Sequence, residues 1–169
     1  MNKIMKTARL VMKPYEEADQ NDLAELLTND EIKKMFMIPD FLTREELLHM
    51  VEALMNRSLC DEHFHRGIYS NRVLIGFVND VEINNGVIEL GYVIHPEYHN
   101  KGYATEMLQA IIEELLHSGF SAVTAGAFIE NAASIRVMQK CGMEKIDREE
   151  DIVYRGIKRH CVYYAIFEE

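Results

Sequence analysis

The sequence contains no apolar run close to the ~20 residues that a membrane helix needs, so no membrane partner is expected. Basic residues are in the minority. Lys and Arg total 18 against 28 Asp and Glu, for a formal net charge of −10. A general nucleic-acid or anionic-membrane binder carries a basic surface, so both classes are excluded, and the acidic balance leans toward a cationic acceptor. Cysteine is scarce. Cys60, Cys141 and Cys161 are odd in number, lack paired metal-ligand spacing and follow no signal peptide, which predicts reduced thiols, no metal and a cytoplasmic protein. Repeats, low-complexity tracts and linkers are also missing. A length of 169 residues suits one substantial core, and residues 1–169 are read as a single domain.

What is present is organised around Glu89 to Leu116. Glu89-Leu90-Gly91-Tyr92-Val93-Ile94-His95-Pro96 reads as a strand that proline ends. On a two-residue period Ile88, Leu90, Tyr92 and Ile94 share one face, while Glu89, Gly91 and Val93 share the other. The loop His99-Asn100-Lys101-Gly102-Tyr103-Ala104 follows, then a helix with Met107, Leu108, Ile111, Ile112 and Leu115 on one side and Gly119 as its stop. The first N–H groups of a helix have no internal acceptor and lie at the positive end of its dipole, so such a loop suits a diphosphate. The other reading is an ordinary strand-to-helix connection in which glycine supplies a positive φ. No Gly-Lys-Ser/Thr and no three-glycine spacing occurs, which excludes a Walker loop and a dinucleotide fingerprint.

Upstream, Ala8–Met12 reads as a first strand, Asp19–Leu27 and Asp30–Met37 as short helices. Thr43-Arg44-Glu45-Glu46 is a capping box that opens a helix burying Leu47, Met50, Val51 and Leu54. Phe64–Ser70 and Val73–Ile83 have strand periodicity, and Asn84-Asn85-Gly86 is a hairpin turn into the Glu89 strand. Ala122–Phe128 is a further strand, Asn131-Ala132-Ala133-Ser134 opens a helix that ends at Cys141-Gly142, and Glu144–Phe167 holds two more strands. This succession of strands and helices predicts a mixed α/β (α+β) fold, with helices on both faces of a mostly antiparallel central sheet.

Two of these segments resemble the motifs of the GNAT superfamily of N-acetyltransferases. His99-Asn100-Lys101-Gly102-Tyr103-Ala104 is similar to its Gln/Arg-x-x-Gly-x-Gly/Ala loop, with His99 departing from Gln/Arg. The segment from Asn131 to Met143 resembles its Asn-x-x-Ser…Gly-Phe segment. The front, from Thr7 through Glu31, is similar to the branch that includes ribosomal-protein alanine N-acetyltransferases. The resemblance implies a GNAT-like acyl-CoA fold, acetyl-CoA as acetyl-donor cosubstrate, an amine acceptor and no metal. The implied cofactor contacts are Val93, Ile94 and His95 on the strand; His99, Asn100, Lys101, Gly102, Tyr103, Ala104 and Thr105 at the loop and helix start; and Asn131 and Ser134. It further implies that the Glu89 strand splays from the Ala122 strand and that an N–H near Val93 holds the acetyl carbonyl.

Glu89 matches a position where several members carry a catalytic glutamate. It acts either as general base or as a group that orients the amine, and a structural hydrogen bond or a pairing with a cation is the third reading. Gly126 stands where another branch has its base. Met138 stands in place of the tyrosine that protonates the departing thiolate, a role that the resemblance passes to Ser134. A non-catalytic acyl-CoA sensor on the same fold is the rival, and a homodimer stays open.

Overall fold

The structure, a computed structural model, describes residues 4–168. Its strands are β1 (Met5–Lys6), β2 (Val11–Lys13), β3 (His65–Ser70), β4 (Val73–Asn84), β5 (Val87–Ile94), β6 (Ala122–Phe128), β7 (Glu144–Tyr154) and β8 (Ile157–Phe167). Its helices are α1 (Gln20–Thr28), α2 (Asp30–Met35), α3 (Arg44–Ser58), α4 (Tyr103–His117) and α5 (Ala132–Lys140). The strands form one eight-stranded sheet in the order β1-β2-β3-β4-β5-β6-β8-β7. The β5–β6 pair is parallel, whereas β1–β2, β2–β3, β3–β4, β6–β8 and β7–β8 are antiparallel. This is the mixed, mostly antiparallel sheet that the element succession predicts. No described helix is long and apolar enough to cross a membrane.

The described residues divide into two compact units, one reaching Asn79 and adding Tyr92–Tyr103, the other formed by Asp80–Gly91 and the chain from Ala104 onward. In the first unit, Leu23, Leu26 and Leu27 of α1 are buried with Ile32, Val51 and Phe77, the amphipathic pattern read from the sequence. Asn29 caps α2 through Glu31 and Ile32 N–H, and Thr43 caps α3 through Glu46 N–H. The capping box is not reciprocal: the Glu46 carboxylate accepts from Leu42 N–H at 2.7 Å instead of returning to Thr43. Of the four predicted buried positions on α3 only Val51 is fully buried; Leu47, Met50 and Leu54 are half-buried against the same core.

The first strand differs from the expected Ala8–Met12. Thr7 and Leu10 close a tight turn, with Thr7 N–H donating to Leu10 O at 3.0 Å and Leu10 N–H donating to the Thr7 hydroxyl at 3.1 Å. A threonine side chain that accepts its neighbour's N–H competes with the strand ladder, so the segment becomes two short strands with Arg9 on the turn between them.

The second unit is built on α4, whose Met107, Leu108, Ile111, Ile112 and Leu115 are all buried. Ile88 and Leu90 of β5 and Val123 and Ala125 of β6 are buried as well. Phe128, Cys161 and Tyr163 form a smaller cluster with Ile146, Ile152 and Tyr154.

One buried group makes the first unit sensitive to acid. His65 is 1% exposed, has its Nε2 hydrogen-bonded with the Tyr15 hydroxyl at 2.8 Å and stacks on Phe77. Burial first, then the charges of Arg57 and Arg66, push its imidazole down to about 3. The folded protein therefore keeps His65 neutral while the unfolded chain takes up a proton below pH ~6.5, so stability is lost as pH falls. Between pH ~7.5 and ~5, wild type should lose about 2 kcal/mol more than His65→Gln in urea denaturation; equal losses would contradict the neutral buried imidazole.

Candidate active site

The loop after β5 is held by its own side chains. Pro96–Tyr98 forms a single 3-10 turn, entered through His95, whose Nδ1 accepts from Glu97 N–H at 3.2 Å while its Nε2 lies 3.1 Å from a Glu25 carboxylate oxygen. His99 donates from Nε2 to Ile94 O at 2.7 Å, tying the loop back to the end of β5. Lys101 donates to Glu97 O at 3.0 Å and lies over the Tyr98 ring. Arg9 reaches in from the β1–β2 turn, donating to Lys101 O at 2.8 Å with its guanidinium 4.6 Å above the Tyr103 ring. Asn100 and Gly102 both take positive φ, 59° and 79°. Glycine adopts that conformation without strain, and at 102 an added Cβ would also stand 3.3 Å from Arg9 Nη2.

Gly102 occupies the cap position of α4. The caps of α3 and α5 are side-chain oxygens, from Thr43 and Asn131. A glycine cannot supply one, so the α4 N–H groups at Tyr103, Ala104 and Thr105 lack the side-chain acceptor that α3 and α5 carry at that position; α1, whose cap residue Asp19 makes no side-chain cap bond, shares this trait. Inside the second unit, Thr105 lies in this first turn and its carbonyl accepts the Cys141 thiol at 3.6 Å. Burial pushes that thiol up to about 11, which keeps it protonated at neutral pH.

On the strand, the β5–β6 ladder runs from Val87↔Ala122 to Leu90↔Ala125. Past that pair β6 continues to Phe128, its other edge bonded to β8 as far as Phe128↔Cys161. Val93 and Ile94 are buried, and His95 N–H donates to Ile75 O of β4 at 2.7 Å. Gly76 makes this approach possible: a Cβ there would stand 2.1 Å from Val93 O. Val93, Ile94, His95, His99, Asn100, Lys101, Gly102 and Tyr103 are thus gathered in the first unit; Glu89, Ala104, Thr105, Asn131 and Ser134 belong to the second.

Glu89 is 9% exposed and pairs with a cation, one of the readings open from the sequence, which did not say which cation. Arg148 Nη1 donates to its Oε2 at 2.6 Å. Asn131 caps α5 by accepting Ser134 N–H at 3.2 Å, and Ser134 is half-buried in the first turn. Met138 is fully buried and offers no proton. Arg9, Gly76 and Arg148 were not foreseen. Arg9 reads as a strand residue, and Arg148 falls within the two strands read over Glu144–Phe167, with no role assigned to it.

The architecture and the glycine-capped loop define the class of acetyl-CoA-dependent N-acetyltransferases. A family model described as acetyltransferase (GNAT) domain matches residues 9–144, and the chain belongs to that family. It is 30% identical to the uncharacterized N-acetyltransferase YnaD of Bacillus subtilis (strain 168), covering 96% of each chain. Among solved structures it resembles a GNAT-family acetyltransferase from Bacillus anthracis, with a TM-score of 0.82 and 25% identity over 98% of this chain and 99% of that one. The fold is also that of RimL, described as a ribosomal L7/L12 alpha-N-protein acetyltransferase in complex with coenzyme A, with a TM-score of 0.86 and 16% identity over 98% of both chains.

Because the Gly76 contact is with backbone, a substituent there cannot be accommodated by a rotamer change. Gly76→Ala should lower unfolding stability by about 2 kcal/mol or more in urea denaturation, and an unchanged midpoint would contradict the close approach of β4 and Val93.

Proposed function

We propose that this chain, acting as one domain, transfers an acetyl group from acetyl-CoA to a primary amine, either a protein N-terminus or a small cationic amine. The observation that carries the reading is the α4 start, where a loop braced by His99, Lys101 and Arg9 leads into a helix with glycine at its cap. Oriented N–H groups and the helix dipole favour a diphosphate there, and the small side chain of Ala104 leaves its approach open. Val93, Ile94 and His95 line the strand along which the pantetheine arm would run, with a main-chain N–H near Val93 for the acetyl carbonyl. Asn131 and Ser134, at the start of α5, complete the proposed cofactor contacts.

Acetyl-CoA supplies an acetyl thioester as electrophile. The acceptor arrives largely protonated, since a terminal amine titrates near ~8 and a lysine near ~10.4, so it must lose a proton before it attacks. Glu89 is assigned that proton, directly or through water, with its Oε1 as the accepting atom because Oε2 is engaged by Arg148. Attack is direct. The raised Cys141 thiol argues against an acyl-enzyme on that residue, as does the raised Cys161 thiol on that one. Ser134 is assigned to pass a proton to the departing thiolate while taking up the second proton that the acetylated nitrogen sheds, a modest role because that thiolate is a tolerable leaving group. The net charge of −10 and the ribosomal-protein substrate in the RimL description support a cationic or N-terminal acceptor, and the unpaired cysteines support a reducing cytoplasmic setting.

Two measurements test this. In CoA-release assays across peptides and polyamines, Glu89→Gln should slow turnover about 100-fold and Ser134→Ala about tenfold or less. Acetyl-CoA binding without turnover on any amine would identify a sensor instead. Ala104→Glu, which places a carboxylate in the first turn of α4, should raise the acetyl-CoA KM about tenfold while leaving the melting temperature unchanged or higher. An unchanged KM would remove the diphosphate from this helix.

A further inference from the structure

The second unit contains a stack of groups that ends on Glu89. Gly126 of β6 faces Tyr163 of β8 directly in the ladder. The Tyr163 ring folds over this partner so closely that a Cβ at 126 would stand 2.6 Å from Cε1. Arg148 lies on the ring, its guanidinium carbon 3.8 Å from the centroid. From there Nη1 donates to Glu89 Oε2 at 2.6 Å, while Nε and Nη2 both lie 2.9 Å from Glu150 Oε1.

The backbone explains why the arginine lies there. On the β7–β8 hairpin Lys145 pairs with Tyr164 and Glu149 pairs with Val162, so Ile146, Asp147 and Arg148 all stand opposite Tyr163 alone. Such a bulge re-aims a side chain that a regular strand would send elsewhere. Planar stacking on an aromatic face, together with the rigid fork of donors, suits a guanidinium and not an ammonium. Burial alone would lower the Arg148 pKa, but the hydrogen bonds to Glu89 and Glu150 outweigh it and hold the guanidinium charged.

We infer that Arg148, seated on Tyr163 by the β7 bulge, is the positioning residue for Glu89: it fixes Oε2 and thereby presents Oε1 to the acceptor. The inference rests on the Glu89 role proposed above. Gly126 is explained by the same stack, since the space over that residue belongs to the Tyr163 ring. A residue with a Cβ at 126 would push the ring, and with it the guanidinium, off the carboxylate.

The test is a double-mutant cycle on the full chain, with steady-state kinetics on the best amine of the panel and melting temperatures as a folding control. Arg148→Ala should lower kcat about tenfold while the acetyl-CoA KM stays within about twofold. If Arg148 works through Glu89, the Glu89→Gln, Arg148→Ala double variant should be no slower than Glu89→Gln alone, within about twofold. Arg148→Lys keeps the charge without the fork and should stay closer to Arg148→Ala than to wild type. Multiplying losses in the double variant, or full activity in Arg148→Lys, would overturn the positioning role. Wild-type turnover in Glu89→Gln would overturn the Glu89 assignment itself, whereas a slow Glu89→Gln beside an unaffected Arg148→Ala would overturn this inference alone.

Discussion

The start of α4 is the constraint on which the functional account depends. A helix of this length begins with N–H groups that have no partner within the helix, and each protein helix must dispose of them somehow. Here α3 and α5 use threonine and asparagine side chains, while the cap position of α4 is a glycine. The chain then invests in holding that glycine still. His99 bonds to the last residue of β5, Lys101 to Glu97, and Arg9 to Lys101, so the approach to the helix is braced although its cap residue has no side chain. Donors held rigidly would bind an anion at little ordering cost, which is why the diphosphate is proposed to sit here.

The second organising feature is the sheet around Glu89. The parallel ladder secures β5 to β6 through Leu90↔Ala125, next to the carboxylate. On the same face, Thr124, Gly126 and Tyr163 lie in succession, and the bulge in β7 brings a cation to complete the row. A carboxylate at 9% exposure needs hydrogen-bond donors, and the guanidinium supplies one to Oε2. The acidic surface of the chain therefore coexists with basic groups placed one at a time: Arg148 on Glu89, and Arg9 and Lys101 at the loop.

Much of this was legible in the sequence, because periodicity and turn chemistry are local. The buried face of α4, the Asn85–Gly86 turn with both φ values positive, and the caps at Thr43 and Asn131 follow from residues within a few positions of one another. The strand–loop–helix arrangement from β5 into α4 was legible for the same reason. The misses share the opposite property. Gly76 is a glycine because of a carbonyl on another strand, and Arg148 meets a carboxylate 59 positions earlier through a bulge that no local pattern announces. The broken first strand is a closer case, since the Thr7 hydroxyl that turns the chain lies beside it, but strand alternation outweighed the turn in reading Ala8–Met12.

The central claim concerns main-chain amides, so the most direct measurement observes them individually. In a nitrogen-15 NMR titration with coenzyme A, the amides of Gly102, Tyr103, Ala104 and Thr105 should show the largest shifts and gain protection from hydrogen exchange. Shifts that spare these four residues, or no shift anywhere at millimolar ligand, would contradict the account.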